Sequence, residues 1–358
     1  MDIVHHRLHN QRLTPETAAP PDQMVAWFGA MQAQDFASVK WAMGVRGTGS
    51  QPAVTDATIE QAIASKKIIR TWLMRGTLQI TTAADIRWLL ALLAPRLIAG
   101  SAGRLRELEL DQGTLARSFD VFTAVLPDSQ PLSRPNILQT LEQAGISTTG
   151  QRGYHILSQA ALHGLICFGP MQGKQQTFVL LNDWAPPGPT YTREEALAEL
   201  AWRYFRSHGP ATLADFVWWS GLTITEARTA LEMIKTGLHA VEVDGEIYWQ
   251  PDLVTVPTVL SPTAWLLPGF DEYYLGYTTR HVVLDGRYDK QVVSVNGIFR
   301  PMIVIDGQIV GIWKRELKKG TAVITWQPFQ PLTAVAEQVV WTAVNQYGAF
   351  LEQPVQVG

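Results

Sequence analysis

The sequence predicts a mainly helical α+β protein with β-hairpin wings: three tandem winged-helix modules, then a small C-terminal β-rich, barrel-like part and a closing helix. Three observations predict it. Amphipathic helical runs arrive in groups, and each group is followed by two β-rich stretches around a turn. That order recurs three times at loose spacing, which marks a repeated architecture and not a solenoid. After about Pro257 helical periodicity gives way to short apolar runs cut by Asn-Gly and Asp-Gly.

In the first module, "PPDQMVAWFGAMQ" sets Met24, Val25, Phe28 and Met31 at helical spacing behind Pro-Pro-Asp. A second helix is expected from Ser38, and a third behind Asp56 with Ile59, Ala62 and Ile63 on one face. "KIIRTWLMRGTLQIT" then reads as a hairpin turning at Arg75-Gly76. "IRWLLALLAPRLIAG" holds Arg87, Pro95 and Arg96, so it reads as a buried helix and not a membrane span. The second module offers two helices, "SRPNILQTLEQAG" and "GYHILSQAALHG", and a hairpin around Gly173. In the third, Thr212 and Thr223 cap helices that stop at Gly221 and Gly237, with Gly209 ending the helix before them; a hairpin turns at Asp244-Gly245. The C-terminal part alternates apolar residues around Asn296-Gly297 and Asp306-Gly307. It closes on a helix expected to bury Val335, Val339, Val340 and Val344. Domain bounds are set at 1–118, 119–186, 187–258 and 259–358, with linkers at 127–131 and 184–190.

Composition fits a folded chain of several modules: 358 residues, 46% hydrophobic and 17% charged. Cys167 is the only cysteine, which rules out an internal disulfide and a cysteine-rich zinc site and suits a reducing compartment. The N-terminus is polar from the start, and a soluble, cytoplasmic protein is expected, nucleoid-associated when bound to DNA. Net charge is −3, which argues mildly against a surface that is basic throughout. The segment from Arg280 to Gly320 nevertheless holds eight basic against four acidic residues, and Arg280 and Arg300 within it are candidate DNA contacts. Arg96, Arg104 and Arg106 form a second basic strip.

Gln32 and Gln34, in "AMQAQDF", stand where the first helix gives way to a loop. They admit three readings. Amides satisfy loose backbone groups at helix ends. A glutamine also reads adenine through its N6 and N7 edge, but the end of a first helix is the wrong place for groove readout. Third, the pair holds a water beside a sugar C1′. Glutamine cannot serve as a general base, so the roughly 10²–10⁴-fold supplied by proton transfer is missing. Such a site suits only a leaving group already activated, such as a base alkylated at a ring nitrogen.

"MQAQDFASVKWAMGVR", "RTWLMRGTLQIT", "GPATLADFVWWSGLTITEAR", "LLPGFDEYYLGYTTR" and "NGIFRPMIVIDGQIVGIWKR" together resemble the AlkZ-type, YcaQ-related DNA glycosylases, in order from about residue 5 to 345. The resemblance implies three tandem winged helices with a C-terminal β-rich part, forming a concave face for DNA. It implies removal of N-alkylated purines, unhooking of interstrand crosslinks in some members, and no metal or other cofactor. The family signature is glutamine, aliphatic residue, glutamine or aspartate. Gln32-Ala33-Gln34 matches the glutamine version, so both side chains are expected to position the attacking water. Without a carboxylate at position 34, simple alkylbase excision is expected ahead of broad crosslink unhooking. Asp35 stands one position late for that carboxylate and is carried only as a candidate for the active cleft.

Of the adjacent Asp271 and Glu272, read as strand neighbours on opposite faces, Asp271 is taken as the candidate cleft residue; the rival role is a structural one, holding Arg280 or a turn. Arg70 and Arg75 flank the first hairpin as candidate phosphate contacts. Trp72 between them would support a displaced base by stacking worth about 1–3 kcal/mol, or sit in the core under the hairpin. Of His5, His6 and His9 only His5 and His9 share a helical face, and that pair lacks a third convergent ligand, so no metal is expected. The reading is a monomeric, monofunctional glycosylase acting on alkylated double-stranded DNA, with no membrane partner. The alternatives are a multi-winged-helix DNA-binding regulator without catalysis and an interaction scaffold.

Overall fold

Side chains that start helices and glycines that stop them set the element order. The computed structural model describes residues 2–49, 53–126, 130–251, 261–318 and 320–358. A leading helix, α1 (Ile3–Asn10), precedes the first module: α2 (Pro21–Phe28), β1 (Met31–Gln32), α3 (Phe36–Arg46), α4 (Asp56–Ala64), β2 (Ile68–Trp72) and β3 (Leu78–Thr82). A long helix, α5 (Ile86–Glu107), follows. The second module runs α6 (Gln112–Val125), β4 (Leu132–Ser133), α7 (Arg134–Gln143), α8 (Arg152–Leu162), β5 (Ile166–Phe168) and β6 (Thr177–Leu180), then a short α9 (Leu181–Trp184). The third is α10 (Arg193–His208), α11 (Leu213–Ser220), α12 (Ile224–Ile234), β7 (Leu238–Val243) and β8 (Glu246–Pro251). The remainder comprises β9 (Ala264–Leu267), α13 (Glu272–Leu275), α14 (Asp289–Val292), β10 (Met302–Ile305), β11 (Gln308–Lys318), β12 (Thr321–Pro328), α15 (Ala334–Leu351) and β13 (Val355–Val357).

Three winged-helix modules in tandem are therefore present. Each also carries a short strand slot between its first two helices. In the second module β4 fills it and pairs with β6; in the third Ala211 fills it, bridging to Trp249. In the first it is Met31–Gln32. Thr212 and Thr223 both form capping boxes, with Asp215 and Glu226 reaching back to the cap. The helix α6 escaped the sequence reading, and the expected boundary after Ser118 falls inside it. Residues 127–129 of the expected linker at 127–131, and the boundary after Thr258, lie outside the described residues.

The chain divides into two compact units, Met1–Ile59 with Leu197–Gly358, and Glu60–Ala196. In the second unit the strands run side by side in the order β3-β2-β5-β6-β4, so the wings of the first two modules share one sheet through Arg70 paired with Phe168. The first hairpin turns at Arg75 and Gly76, both with positive φ. Helix α5 is long and apolar enough to cross a membrane by length and composition. Its first half, from Ile86 to Ala94, is largely buried, whereas past Pro95 its one buried residue is Leu105.

In the first unit the sheet is open, in the order β13-β12-β11-β10-β9, and does not close into a barrel. Helix α15 packs on β9 and α3. Trp41 meets Tyr347 and Phe350 at 4.8 and 5.1 Å between ring centroids. A Cβ on Gly44 would lie 2.4 Å from the Phe350 ring, so only glycine fits there. Two expectations need correction. Val335 is 59% exposed and Val339 only half-buried, and Tyr347 and Phe350 join Val340 and Val344 on the buried side. "VVSV" before Asn296-Gly297 is no strand: Val292 ends α14, and one bridge, Val293 to Phe299, closes the turn.

Candidate active site

The helix before the glutamine pair stops earlier than the sequence suggested. Phe28 is its last residue, and Gly29 follows with φ of +80°, a conformation that a side chain resists. A Cβ there would also lie 3.1 Å from the Arg203 Cδ. The chain then enters β1, with Ala30, Met31 and Ala33 buried. Gln32 is 8% exposed, while Gln34 stands exposed at the bend before α3. Asp35 is the N-cap of α3: its Oδ1 accepts the Ser38 N–H at 2.6 Å. Its carboxylate is thereby tied to a helix end next to the pair.

Behind Gln32 lies a carboxylate. The Gln32 N–H donates to Glu272 Oε1 at 2.7 Å, and the Trp219 indole N–H donates to Oε2 at 3.1 Å. The His208 Nε2 faces the same Oε2 at 3.4 Å. Glu272 is 3% exposed. Burial holds the His208 imidazole below its ordinary pKa; Glu272 pulls the other way, and Arg46 and Arg7 add to the lowering. The Gln11 side chain donates to the Glu272 carbonyl and to Tyr277, whose hydroxyl donates to the His208 carbonyl. Ser207 Oγ lies 2.8 Å from His208 Nδ1, so a serine–histidine–glutamate chain exists. It is no hydrolytic triad: Ser207 and His208 are fully buried, and the Ser207 hydroxyl donates to the Arg203 carbonyl at 2.6 Å.

Asp271, the expected cleft residue, is 1% exposed and bound by both nitrogens of Arg46, at 2.7 and 2.8 Å. It also caps α13 by accepting the Tyr273 N–H. The partner is Arg46 and not Arg280, and the pair is structural. Asp271 and Glu272 are not strand neighbours; they are the cap and first residue of a helix, and it is Glu272 that meets Gln32. The Asp-Glu order at a helix start was the signal that could have separated them.

Arg280 donates to the Tyr274 carbonyl and lies over the rings of Tyr274, Phe299 and Trp218 at 4.9, 5.2 and 5.5 Å. It borders a cavity of about 390 Å³ lined also by Thr278, His281 and Asp289. Arg300 is exposed. In the second unit, Arg70, Trp72 and Arg75 share one hairpin but not one environment. Trp72 is buried against Phe168 and Phe178 and donates to the Tyr154 hydroxyl, so it has no free face for a displaced base. Arg70 is likewise buried, 4.8 Å over the Phe168 ring, which removes it from phosphate contact. Arg75 is half-buried at the turn. Among the described residues no group of histidines, cysteines or carboxylates is placed to hold a metal; His5 and His6 are engaged with Asp2.

This arrangement meets its relatives at the level of the whole chain. The interstrand DNA cross-link repair glycosylase of Streptomyces sahachiroi is 27% identical over 337 residues, covering 86% of this chain and 85% of that protein. The solved structure of the Streptomyces sahachiroi DNA glycosylase AlkZ matches with a TM-score of 0.80 at 22% identity, covering 100% of this chain and 98% of that one. The family model for the DNA glycosylase AlkZ-like proteins matches residues 25–350. The chain belongs to the AlkZ-like DNA glycosylase family.

Proposed function

We propose that this glycosylase hydrolyses the N-glycosidic bond of N7- or N3-alkylated purines in duplex DNA, with Gln32 and Gln34 positioning the water. The observation that carries the reading is the setting of the pair: Gln34 stands in solvent while Gln32 is fixed through its backbone to a buried carboxylate. The bond between C1′ and N9 breaks, and its electron pair neutralises the positive charge that alkylation placed on the purine. A water oxygen forms the new bond to C1′ and gives its proton to solvent. The amides donate to and accept from that water but take up no proton. Among the described residues no lysine sits in a recognisable nucleophile setting, and the proposed product is an abasic site.

Arg75, Arg280 and Arg300 are the proposed phosphate contacts; Arg70 and Trp72 are withdrawn because they are buried. The Streptomyces relative is named for interstrand cross-link repair. Crosslink unhooking is proposed here as the lesser activity, since Gln34 supplies no carboxylate. Incubation with DNA carrying 7-methylguanine tests the reading by release of free base with formation of abasic sites. Tight binding to particular DNA sequences, with no base released from any alkylated substrate, would instead favour a regulator without catalysis.

A further inference from the structure

Resting on the glutamine pair as the reaction site, we infer that the turn from Ser294 to Ile298 is an apolar wedge that enters the base stack of duplex DNA beside the lesion. Val295 is fully exposed and Ile298 is 53% exposed. Between them Asn296 and Gly297 form the tip, Gly297 with φ of +71°. The Asp244-Gly245 and Asp306-Gly307 turns are built otherwise: Glu246 and Gln308 stand where Ile298 stands here. Apolar side chains held out at a tip stay costly in water until something covers them.

The turn is braced to hold its shape. The Ser294 N–H donates to the Ile298 carbonyl at 3.0 Å, the Gly297 N–H to the Ser294 carbonyl at 2.9 Å, and the Ile298 N–H to Ser294 Oγ at 3.0 Å. At its base Val293 bridges to Phe299, and the Arg300 N–H donates to the carbonyl of the buried Val292 at 2.9 Å. The Phe299 ring lies 5.9 Å from that of Tyr274 between centroids. Tyr274 belongs to α13, whose first residue, Glu272, accepts the Gln32 N–H. The tip is therefore braced on the same short helix that meets the glutamine pair.

Charge identifies the partner. Lys290 before the turn and Arg300 after it are exposed, and neither is ion-paired among the described residues. The acids nearby are already answered: Asp285 pairs with Arg287 at 2.6 Å, and Asp289 accepts from the Tyr274 hydroxyl at 3.4 Å. Two uncommitted cations bracketing an apolar tip suit a polyanion with an apolar interior, phosphates for Lys290 and Arg300 and base faces for Val295 and Ile298. Entry costs least where a damaged base has already weakened the stack. The wedge loosens the alkylated purine from its neighbour while the amides hold the water.

The test compares wild type with V295S/I298S on a duplex carrying 2-aminopurine next to a tetrahydrofuran abasic site. The probe brightens when unstacked and needs no catalysis. Affinity for that duplex and for an undamaged one, single-turnover release of 7-methylguanine, and thermal midpoint are read alongside. Wild type is expected to brighten the probe; the variant leaves it dim, binds the damaged duplex about 10-fold more weakly and releases base more slowly. Both substituted residues are exposed, so thermal midpoint and affinity for undamaged DNA stay the same. No brightening by wild type, or equal brightening by the variant, overturns the inference. Brightening by wild type alone, with no base released by either protein, keeps the wedge and refutes the reaction proposed above.

Discussion

The backbone N–H of Gln32 donates to the Glu272 carboxylate at 2.7 Å, joining positions 240 residues apart. Two segments far apart in the chain thus meet at the point where catalysis is proposed. The arrangement makes stability and activity separable, because the groups that hold Glu272 in place differ from those that hold the water.

Arg46 and Asp271 are the first case. Both side chains are fully buried and joined by two hydrogen bonds, and Arg46 also donates to the Gln11 carbonyl and side chain. Asp271→Ala strands a buried guanidinium and is expected to cost about 3–5 kcal/mol. Denaturant unfolding checks this. A change within 1 kcal/mol would mean the pair is solvated in solution.

Trp72→Ala discriminates the two roles considered for that ring. A core residue clustered with Phe168 and Phe178 should cost about 3–5 kcal/mol of stability when truncated, while DNA affinity of the folded protein stays unchanged. A base-stacking role would show the reverse, weaker lesion binding with little loss of stability.

The fold was legible because its punctuation is local. Thr212 and Thr223 announce capping boxes, and Asp244-Gly245 and Asp306-Gly307 announce turns through residues that accept positive φ. The site was legible only in part. Gln32 and Gln34 stand out in sequence, but that Gln32 lies on a short strand depends on Gly29 ending α2 one turn early. Glu272 was passed over for Asp271 because a four-residue helix is too short to leave a periodic signature. His208 and Trp219 reach Glu272 from α10 and α11, contacts that no local pattern encodes. Trp72 looked available because a hairpin beside arginines does not reveal which face the next module's sheet covers.

The buried imidazole predicts a pH effect on stability. His208 is faced by Glu272, Ser207, Tyr204, Phe28, Trp219 and Tyr277, with Arg46 and Arg7 nearby. Its pKa is lowered from 6.5 in the folded state, chiefly by burial, so the unfolded chain binds a proton that the native protein refuses. The stability it contributes is therefore complete above 6.5 and is lost as pH falls from there through the lowered folded-state value. Thermal midpoints between about pH 7 and pH 5 should fall less steeply in His208→Gln than in wild type. Parallel curves would contradict the assignment.

Arg300 is exposed in the basic C-terminal segment. If it neutralises a backbone phosphate, Arg300→Ala should weaken binding to all duplexes alike and reduce the slope of log affinity against log salt by about 0.9. An unchanged slope would remove it from the interface.

The central claim is that two uncharged side chains direct water at a sugar whose base is ready to leave. Single-turnover release of 7-methylguanine from duplex DNA, compared among wild type, Gln32→Ala and Gln34→Ala at equal occupancy, tests it most directly. The account predicts that each substitution slows release by about 100-fold or more without loss of DNA binding. Release at the wild-type rate from both variants would contradict it.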